Sequence, residues 1–151
     1  MKRKGIGILA GLAATVVVAM PVLADTTPED AKDYRAAVMT AFRGHIGAAS
    51  MIARGLVEND GQLVGHAQGL ASSAKELANL WPAGSDVNES ESLPAIWEEP
   101  EKFAEAIDAM VTATDAFVAA AESGDAEAIG GAFRNVGMSC RGCHDNFRKS
   151  D

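Results

Sequence analysis

A five-residue motif near the C-terminus most constrains how this 151-residue chain can fold. It reads Cys140-Arg141-Gly142-Cys143-His144, and its two cysteines are the only ones in the chain. Residues three and four positions apart share one face of an α-helix, so a single turn can present both thiols and the imidazole. Cys-x-x-Cys-His is typical of c-type haem attachment, in which the thiols add across two vinyl groups and the histidine binds the iron. The motif therefore predicts one haem c, held by Cys140 and Cys143 through two thioethers, with His144 as its axial ligand.

The N-terminus has the pattern of a secretory signal peptide. The basic segment Lys2-Arg3-Lys4 precedes an apolar run from Gly5 to Met20, and small residues follow at Val22-Leu23-Ala24. The apolar run is short for a membrane span. We expect cleavage after Ala24, which leaves residues 25–151 as a periplasmic protein without a membrane anchor.

The Cys-x-x-Cys-His motif at Cys140 to His144 has three other interpretations. A thioredoxin-like redox dithiol needs a βαβ context, and no strand-like alternation lies near the motif. A structural zinc site needs four ligands, and outside the motif only His45 and His66 remain as histidines. A disulfide is the usual use of two cysteines in an exported chain, but the adjoining histidine favours haem. Haem is therefore the leading interpretation, and a thiol–disulfide oxidoreductase remains an alternative.

The charge of the chain limits its partners. Removal of residues 1–24 takes away three of the 13 basic residues and none of the 21 acidic ones, which leaves a net charge of −11. A protein with this charge repels nucleic acid and anionic membrane surfaces, so neither is expected as a partner. An acidic, solvated surface is the simplest explanation, and a basic redox partner would be favoured electrostatically.

The segment after Ala24 predicts four helices and no strand. Thr27 and Asp125 are expected N-caps of the first and last helices, and Pro28 suits the first helical position. The first helix is predicted to continue to about Asn59, and the next two cover about 61–80 and 101–123. Apolar residues recur at three- and four-residue steps; those of the first helix are Ala31, Tyr34, Val38, Phe42, Ile46, Ala49, Ala53 and Leu56. The pattern predicts an all-α, antiparallel four-helix bundle with the haem motif on a core-facing side.

The segment 85–100 is polar, acidic and irregular except for one apolar cluster, Leu93-Pro94-Ala95-Ile96-Trp97. A structureless loop of this length is unusual in a compact domain. We therefore expect the cluster to hold the loop against the bundle.

These features resemble the class II c-type cytochromes, the cytochrome c′ family, a familiar example of a four-helix bundle. The resemblance covers Thr27 to Lys149. It rests on the C-terminal position of the motif and its continuation to Arg148, on the opening segment from Glu29 to Met39, and on the Leu93–Trp97 cluster. The fold that it implies is the same bundle with a covalently bound haem c.

The resemblance also implies roles for other residues. Arg35 and Arg148 are expected beside the haem propionates, and Arg148 also lies one turn beyond His144. Glu91 and Ser92, just before the apolar cluster, are expected near the haem edge.

Met39 is expected over the distal face of the haem, one turn after Arg35. As a sixth ligand its thioether would give low-spin iron suited to electron transfer. As an apolar lid it would leave five-coordinate iron that binds NO or CO, and ordinary core packing is the third interpretation. His45 and His66 are expected to be exposed or locally hydrogen-bonded and not to bind the iron.

The leading hypothesis is a periplasmic electron carrier whose redox partner the sequence does not identify. A gas-binding protein with little electron-transfer role is the alternative. An enzyme is not expected, because no nucleophile–base arrangement accompanies the motif and a peroxidase would need a polar acid–base group in place of Met39. The resemblance also implies homodimers through the first two helices, where the small residues of 44–55 would permit close contact.

Overall fold

The computed structural model describes residues 26–150 as helices joined by turns and one long loop. The long helices are α1 Pro28–Ala53, α2 Gln62–Glu76, α4 Pro100–Ser123 and α5 Ala126–Phe147. A 3-10 turn, Leu77–Asn79, follows α2, and a short helix, α3 Ala95–Glu98, lies in the long loop. Within the described residues there is no β-strand, and the prediction of an all-α bundle is confirmed.

The predicted signal peptide, residues 1–24, lies outside the described residues. Across residues 26–150 none of the helices combines the length and the apolar character that crossing a membrane requires.

Both predicted N-caps are confirmed. The hydroxyl oxygen of Thr27 accepts a hydrogen bond from the backbone N–H of Asp30 at 3.1 Å, and Pro28 follows it. The carboxylate of Asp125 accepts one from the backbone N–H of Ala128 at 2.7 Å. Each cap satisfies a backbone donor that the first helical turn leaves without a partner.

The predicted end of α1 near Asn59 is wrong, because the helix ends at Ala53. Gly55 has a φ of +69°, and its N–H donates to the carbonyl of Ile52 at 2.9 Å. The next N–H, that of Leu56, donates to the carbonyl of Met51 at 2.9 Å. This pair of bonds around a left-handed glycine is a Schellman motif, which ends a helix. It turns Leu56 away from the predicted buried stripe, and the side chain is 61% exposed.

The predicted stripes form most of the core. All five apolar residues expected to be buried in the predicted second helix are buried, namely Leu63, Ala67, Leu70 and Ala74 of α2 and Leu77 of the 3-10 turn that follows it. The prediction is also wrong for Ala53 and Tyr34 in α1, which are exposed. Tyr34 is 54% exposed, and its hydroxyl donates to the Glu76 carboxylate. The neighbouring Arg35 is buried in its place.

Among the four long helices, α1 and α5 make the least extensive contact of the pairs that neighbour each other. The central helix α4 packs along both α2 and α5, and α1 packs mainly along α2. The contact between α1 and α5 is much less extensive. The side of the bundle between α1 and α5 is therefore its least tightly packed side.

The apolar cluster holds the long loop against the bundle, as predicted. Ile96 is buried, and the indole N–H of Trp97 donates to the carbonyl of Trp81 at 3.2 Å. The Trp81 ring meets Phe103 edge to face at 4.9 Å, and Phe103 meets Phe147 of α5 in the same way at 5.0 Å. The loop is thereby packed against the end of α5.

Two leucines test the assignment of the core. We expect Leu63→Ala to lower the free energy of unfolding by about 3 kcal/mol, because it leaves a cavity at a side chain that is 1% exposed. The same change at the exposed Leu56 is expected to cost less than about 0.5 kcal/mol. Urea unfolding followed by circular dichroism measures both values, and equal losses would contradict the assignment.

Candidate haem site

Helix α5 presents the three motif residues on one turn. It runs unbroken from Ala126 to Phe147, so Cys140, Cys143 and His144 share an arc of about 100°. Both thiols are free, half-buried and packed against the hydrophobic core, and His144 is the most exposed of the three residues although its imidazole is partly desolvated. The predicted arrangement for covalent attachment and axial ligation from one helical turn is present.

Burial makes both thiols weaker acids. It raises the pKa of Cys143 to about 11, with a further contribution from the charge of Cys140. Burial also raises the pKa of Cys140. Redox-active dithiols depend on a lowered thiol pKa, which keeps the nucleophilic thiolate populated near pH 7. The environment of this pair therefore disfavours a thiol–disulfide oxidoreductase.

A zinc site at the motif is also disfavoured. His45 and His66, the only histidines outside the motif, lie on α1 and α2 and hydrogen-bond to each other. Among residues 26–150 no three His, Cys, Asp or Glu side chains are placed to bind one metal ion. The two thiols thus lack the further ligands of a structural zinc site.

His144 lies in an environment that favours its neutral form. Burial lowers the pKa of its imidazole, and the positive charge of Arg148 lowers it further. The carboxylates of Asp145 and Glu91 act in the opposite direction and only partly offset these effects. A neutral imidazole has an unprotonated nitrogen, which is what a metal ligand requires.

The residues that follow α5 pair with the long loop. Ser92 and Arg148 form an isolated antiparallel bridge, in which the N–H of Leu93 donates to the carbonyl of Phe147 at 2.9 Å. The N–H of Lys149 donates to the carbonyl of Glu91 at 2.7 Å. The guanidinium Nε of Arg148 also contacts the Glu91 carboxylate at 2.9 Å. The structure therefore brings Glu91, Ser92 and Arg148 together, one turn beyond His144.

Arg35 is 5% exposed and bonds to the other end of the same loop. Its Nη1 donates to the carbonyl of Leu80 at 2.8 Å and to the hydroxyl of Ser85 at 3.2 Å. Its Nη2 donates to the carbonyl of Ser85 at 3.0 Å and to the hydroxyl of Ser90 at 3.3 Å. The guanidinium carbon also lies 5.4 Å from the centre of the Trp81 ring. Burial lowers the pKa of Arg35, and the nearby charge of Asp86 opposes this.

These contacts of Arg35 were not predicted. The sequence indicated an arginine for a haem carboxylate, whereas the structure shows a guanidinium that orders a loop 45 to 55 residues away. The number of serines in that loop was the one sequence feature that could have indicated acceptors for the guanidinium. Serine hydroxyls are equally compatible with an exposed segment, so the feature does not predict these bonds.

Met39 is half-buried and packs against the same hydrophobic core as Cys140 and Cys143. It lies one turn after Arg35 on α1. This half-buried, core-packed position is compatible with each of the three interpretations of Met39.

Comparison with known proteins gives the family. A family model described as cytochrome c′ matches residues 30–148, which is most of the chain. The chain belongs to the cytochrome c′ family. The recognition made from the sequence is thereby confirmed, and with it the prediction of a haem c protein at the level of the family.

This chain of the cytochrome c′ family matches the three relatives that follow over nearly the full length of each relative. It is 35% identical over 145 residues to cytochrome c-554 from Cereibacter sphaeroides, covering 89% of this chain and 92% of the relative. The crystal structure of cytochrome c′ from Rubrivivax gelatinosus is 29% identical with a TM-score of 0.75, over 81% of this chain and 97% of that one. A nitric oxide complex of a mutant cytochrome c prime from Alcaligenes xylosoxidans is 28% identical with a TM-score of 0.76, over 82% and 97%. The four-helix bundle is the shared fold.

Loss of the buried guanidinium should destabilise the protein. We expect Arg35→Gln to lower the free energy of unfolding by about 3 kcal/mol, because the carbonyls of Leu80 and Ser85 lose their donors. Arg43→Gln, an exposed change on the same helix, is the control and should cost less than about 0.5 kcal/mol. Equal stabilities in denaturant unfolding would show that the hydrogen bonds of Arg35 are not needed.

The raised pKa of Cys143 predicts slow alkylation at neutral pH. In protein made without haem attachment, a Cys140→Ser variant isolates this thiol. Its rate of reaction with iodoacetamide should keep rising above pH 9, because burial, the larger cause of the raised pKa, remains in this variant and only the thiolate reacts. In urea the same thiol should titrate near the usual value of about 8.5. A rate that levels off near pH 7 in the folded protein would instead support a redox dithiol.

Proposed function

We propose that this protein is a periplasmic electron carrier with one haem c, attached through thioethers to Cys140 and Cys143 and ligated by His144. The observation that carries the proposal is the placement of two half-buried thiols and an imidazole on one turn of α5, within a cytochrome c′ fold. When bound, the haem supplies a one-electron redox couple.

The protein's own residues prepare the ligand side of this site. Burial and the charge of Arg148 lower the pKa of the His144 imidazole, which weakens the competition of a proton with the iron for its nitrogen. The bridge between Ser92 and Arg148 fixes the chain just after α5. His144 is thereby held at a helix end that cannot fray freely.

Arg148 is the proposed partner of a propionate. Its guanidinium lies one turn beyond His144 and already contacts a carboxylate, that of Glu91. Arginine can contact a second carboxylate because it has five N–H donors. For Arg35 we propose that its positive charge stabilises the other propionate from nearby. A direct hydrogen bond is not needed for this, because the Nη atoms of Arg35 already donate to the loop.

Met39 is the residue on which the proposed function depends most. As a sixth ligand it would complete a low-spin iron that needs little rearrangement during electron transfer. The half-buried position of Met39 and its packing against the core shared with the motif cysteines support this role.

Gas binding is the second candidate function. It is supported by the solved relative from Alcaligenes xylosoxidans in complex with nitric oxide. In this function Met39 would be an apolar lid over five-coordinate iron. The same fold and the same three motif residues serve both candidates.

The proposal also covers location, assembly and catalytic activity. A periplasmic location is supported by the family and by the signal-peptide pattern of residues 1–24.

Homodimers through α1 and α2 are supported by the open space beside the exposed Gly44 and Gly47. We propose a carrier and not an enzyme, because Met39 supplies no acid–base group where a peroxidase would need one.

Attachment of the haem is tested on the exported protein. We expect a haem that stays with the polypeptide under denaturing conditions and is lost from a Cys140→Ala/Cys143→Ala double variant. A colourless protein with two titratable thiols, made where haem attachment is available, would overturn the proposal.

The role of Met39 is tested by EPR and absorption spectra of the ferric and ferrous protein. If Met39 binds the iron, the ferric protein is low-spin and Met39→Leu makes it high-spin. Met138→Leu is the matched control, because Met138 on α5 is 64% exposed and should not change the spectrum. A high-spin wild-type protein whose ferrous form takes up CO would instead favour gas binding.

A further inference from the structure

A pair of histidines joins α1 to α2 on a part of the bundle that the haem site does not use. The Nδ1 atoms of His45 and His66 lie 3.2 Å apart, and both side chains are half-buried. Their ring centroids are 5.5 Å apart with the ring planes at 60°. His45 is six residues after Met39, about 240° around α1, so it faces away from the proposed haem face.

The backbone of α2 is shaped around the ring of His45. A Cβ added to Gly69 would lie 2.5 Å from Cε1 of that ring and would overlap it. The imidazole therefore occupies space that any other residue at position 69 would fill. Packing against Gly69 keeps Nδ1 of this ring on the side that faces His66 in the absence of any ligand.

The spacing of the two nitrogens suits a shared metal ion. Zinc binds histidine nitrogens at about 2.0–2.1 Å, and two nitrogens 3.2 Å apart at that distance subtend an angle of about 100° at the ion. This angle is near the tetrahedral value. A small rotation of the rings, which lie on separate helices, would direct both lone pairs at one point. Each ring would then keep its proton on Nε2.

We propose that His45 and His66 form a binding site for a divalent transition-metal ion that favours imidazole, such as Zn²⁺ or Cu²⁺. Among residues 26–150 no third His, Cys, Asp or Glu completes the site. Water fills the remaining positions, and the exposed Gly65 on α2 leaves open space beside His66. The ion cross-links α1 to α2, independently of the haem.

The experiment is a titration of the haem-loaded protein with Zn²⁺ by calorimetry at about pH 7.5, where free imidazole is mostly neutral. We expect one equivalent to bind, and a rise in the unfolding temperature when the metal is present. His45→Gln and His66→Gln should each weaken binding about tenfold or more. Gln68→Ala, an exposed neighbour on α2, should leave binding unchanged.

Two further measurements separate the site from nonspecific binding and from misfolding. Gly69→Ala keeps both histidines but displaces the His45 ring, so it should also weaken Zn²⁺ binding. Bound Cu²⁺ should give an EPR signal with hyperfine structure from two nitrogens, reduced to one in either histidine variant. The haem spectrum and circular dichroism show whether each variant is folded.

Three outcomes would overturn the proposal. One is a wild-type protein that binds no stoichiometric Zn²⁺, which would leave His45 and His66 as a hydrogen-bonded pair only. The second is binding that survives in a folded His66→Gln variant. The third is a Cu²⁺ signal without nitrogen coupling from the pair, which would place the ion elsewhere on the acidic surface.

Discussion

The buried guanidinium of Arg35 is the interaction on which the site end of the bundle depends. A charged group at 5% exposure is costly unless its donors have partners, and here the loop supplies four acceptor contacts. The dependence is mutual, because residues 82–92 of the loop, which precede the apolar cluster, include few apolar side chains that could hold them in place. Ser90 connects this contact to the rest of the site: its hydroxyl also accepts from the N–H of Ser92, and its carbonyl accepts from the Lys149 ammonium at 2.6 Å.

This network relates the first helix to the last. Arg35 of α1 holds the loop, and the loop pairs with the residues that follow His144. The indole of Trp81 strengthens the connection, because its N–H donates to the hydroxyl of Ser92 at 3.0 Å. Since α1 and α5 have little direct contact, the loop supplies a connection that helix packing does not. The loop therefore connects the helix that carries Met39 to the residues that follow the motif.

The sequence predicted what depends on local chemistry. Thr27 and Asp125 act within three residues of themselves, so the pattern around each is enough to predict a cap. The periodicity of α2 predicted its buried face for the same reason. The motif on α5 predicted which side chains share a turn, because helical geometry fixes that without knowledge of the partner helices.

The errors have physical causes that local patterns do not contain. Leu56 continued an apolar period, but a left-handed Gly55 ended the helix first. Tyr34 was predicted to be buried and is exposed, whereas the neighbouring Arg35 is buried because the loop offers acceptors for its guanidinium. The contact between His45 and His66 depends on how closely α1 approaches α2, and the small Gly69 signals it only once that helix pair is known.

The long loop is hydrogen-bonded to residues near the beginning and near the end of the chain, and this has a consequence for the order of folding. Ser90 bonds to Arg35 and to Lys149, residues 55 and 59 positions away in opposite directions. Neither contact can form until distant parts of the chain have met, and closure of long segments is slow compared with helix formation. We expect the helices to form first and the loop to become ordered last, with the C-terminal residues as its final anchor. In a Trp97→Phe variant, fluorescence of Trp81, which lies where these contacts converge, would follow that late step, and a signal that develops together with the helices would contradict it.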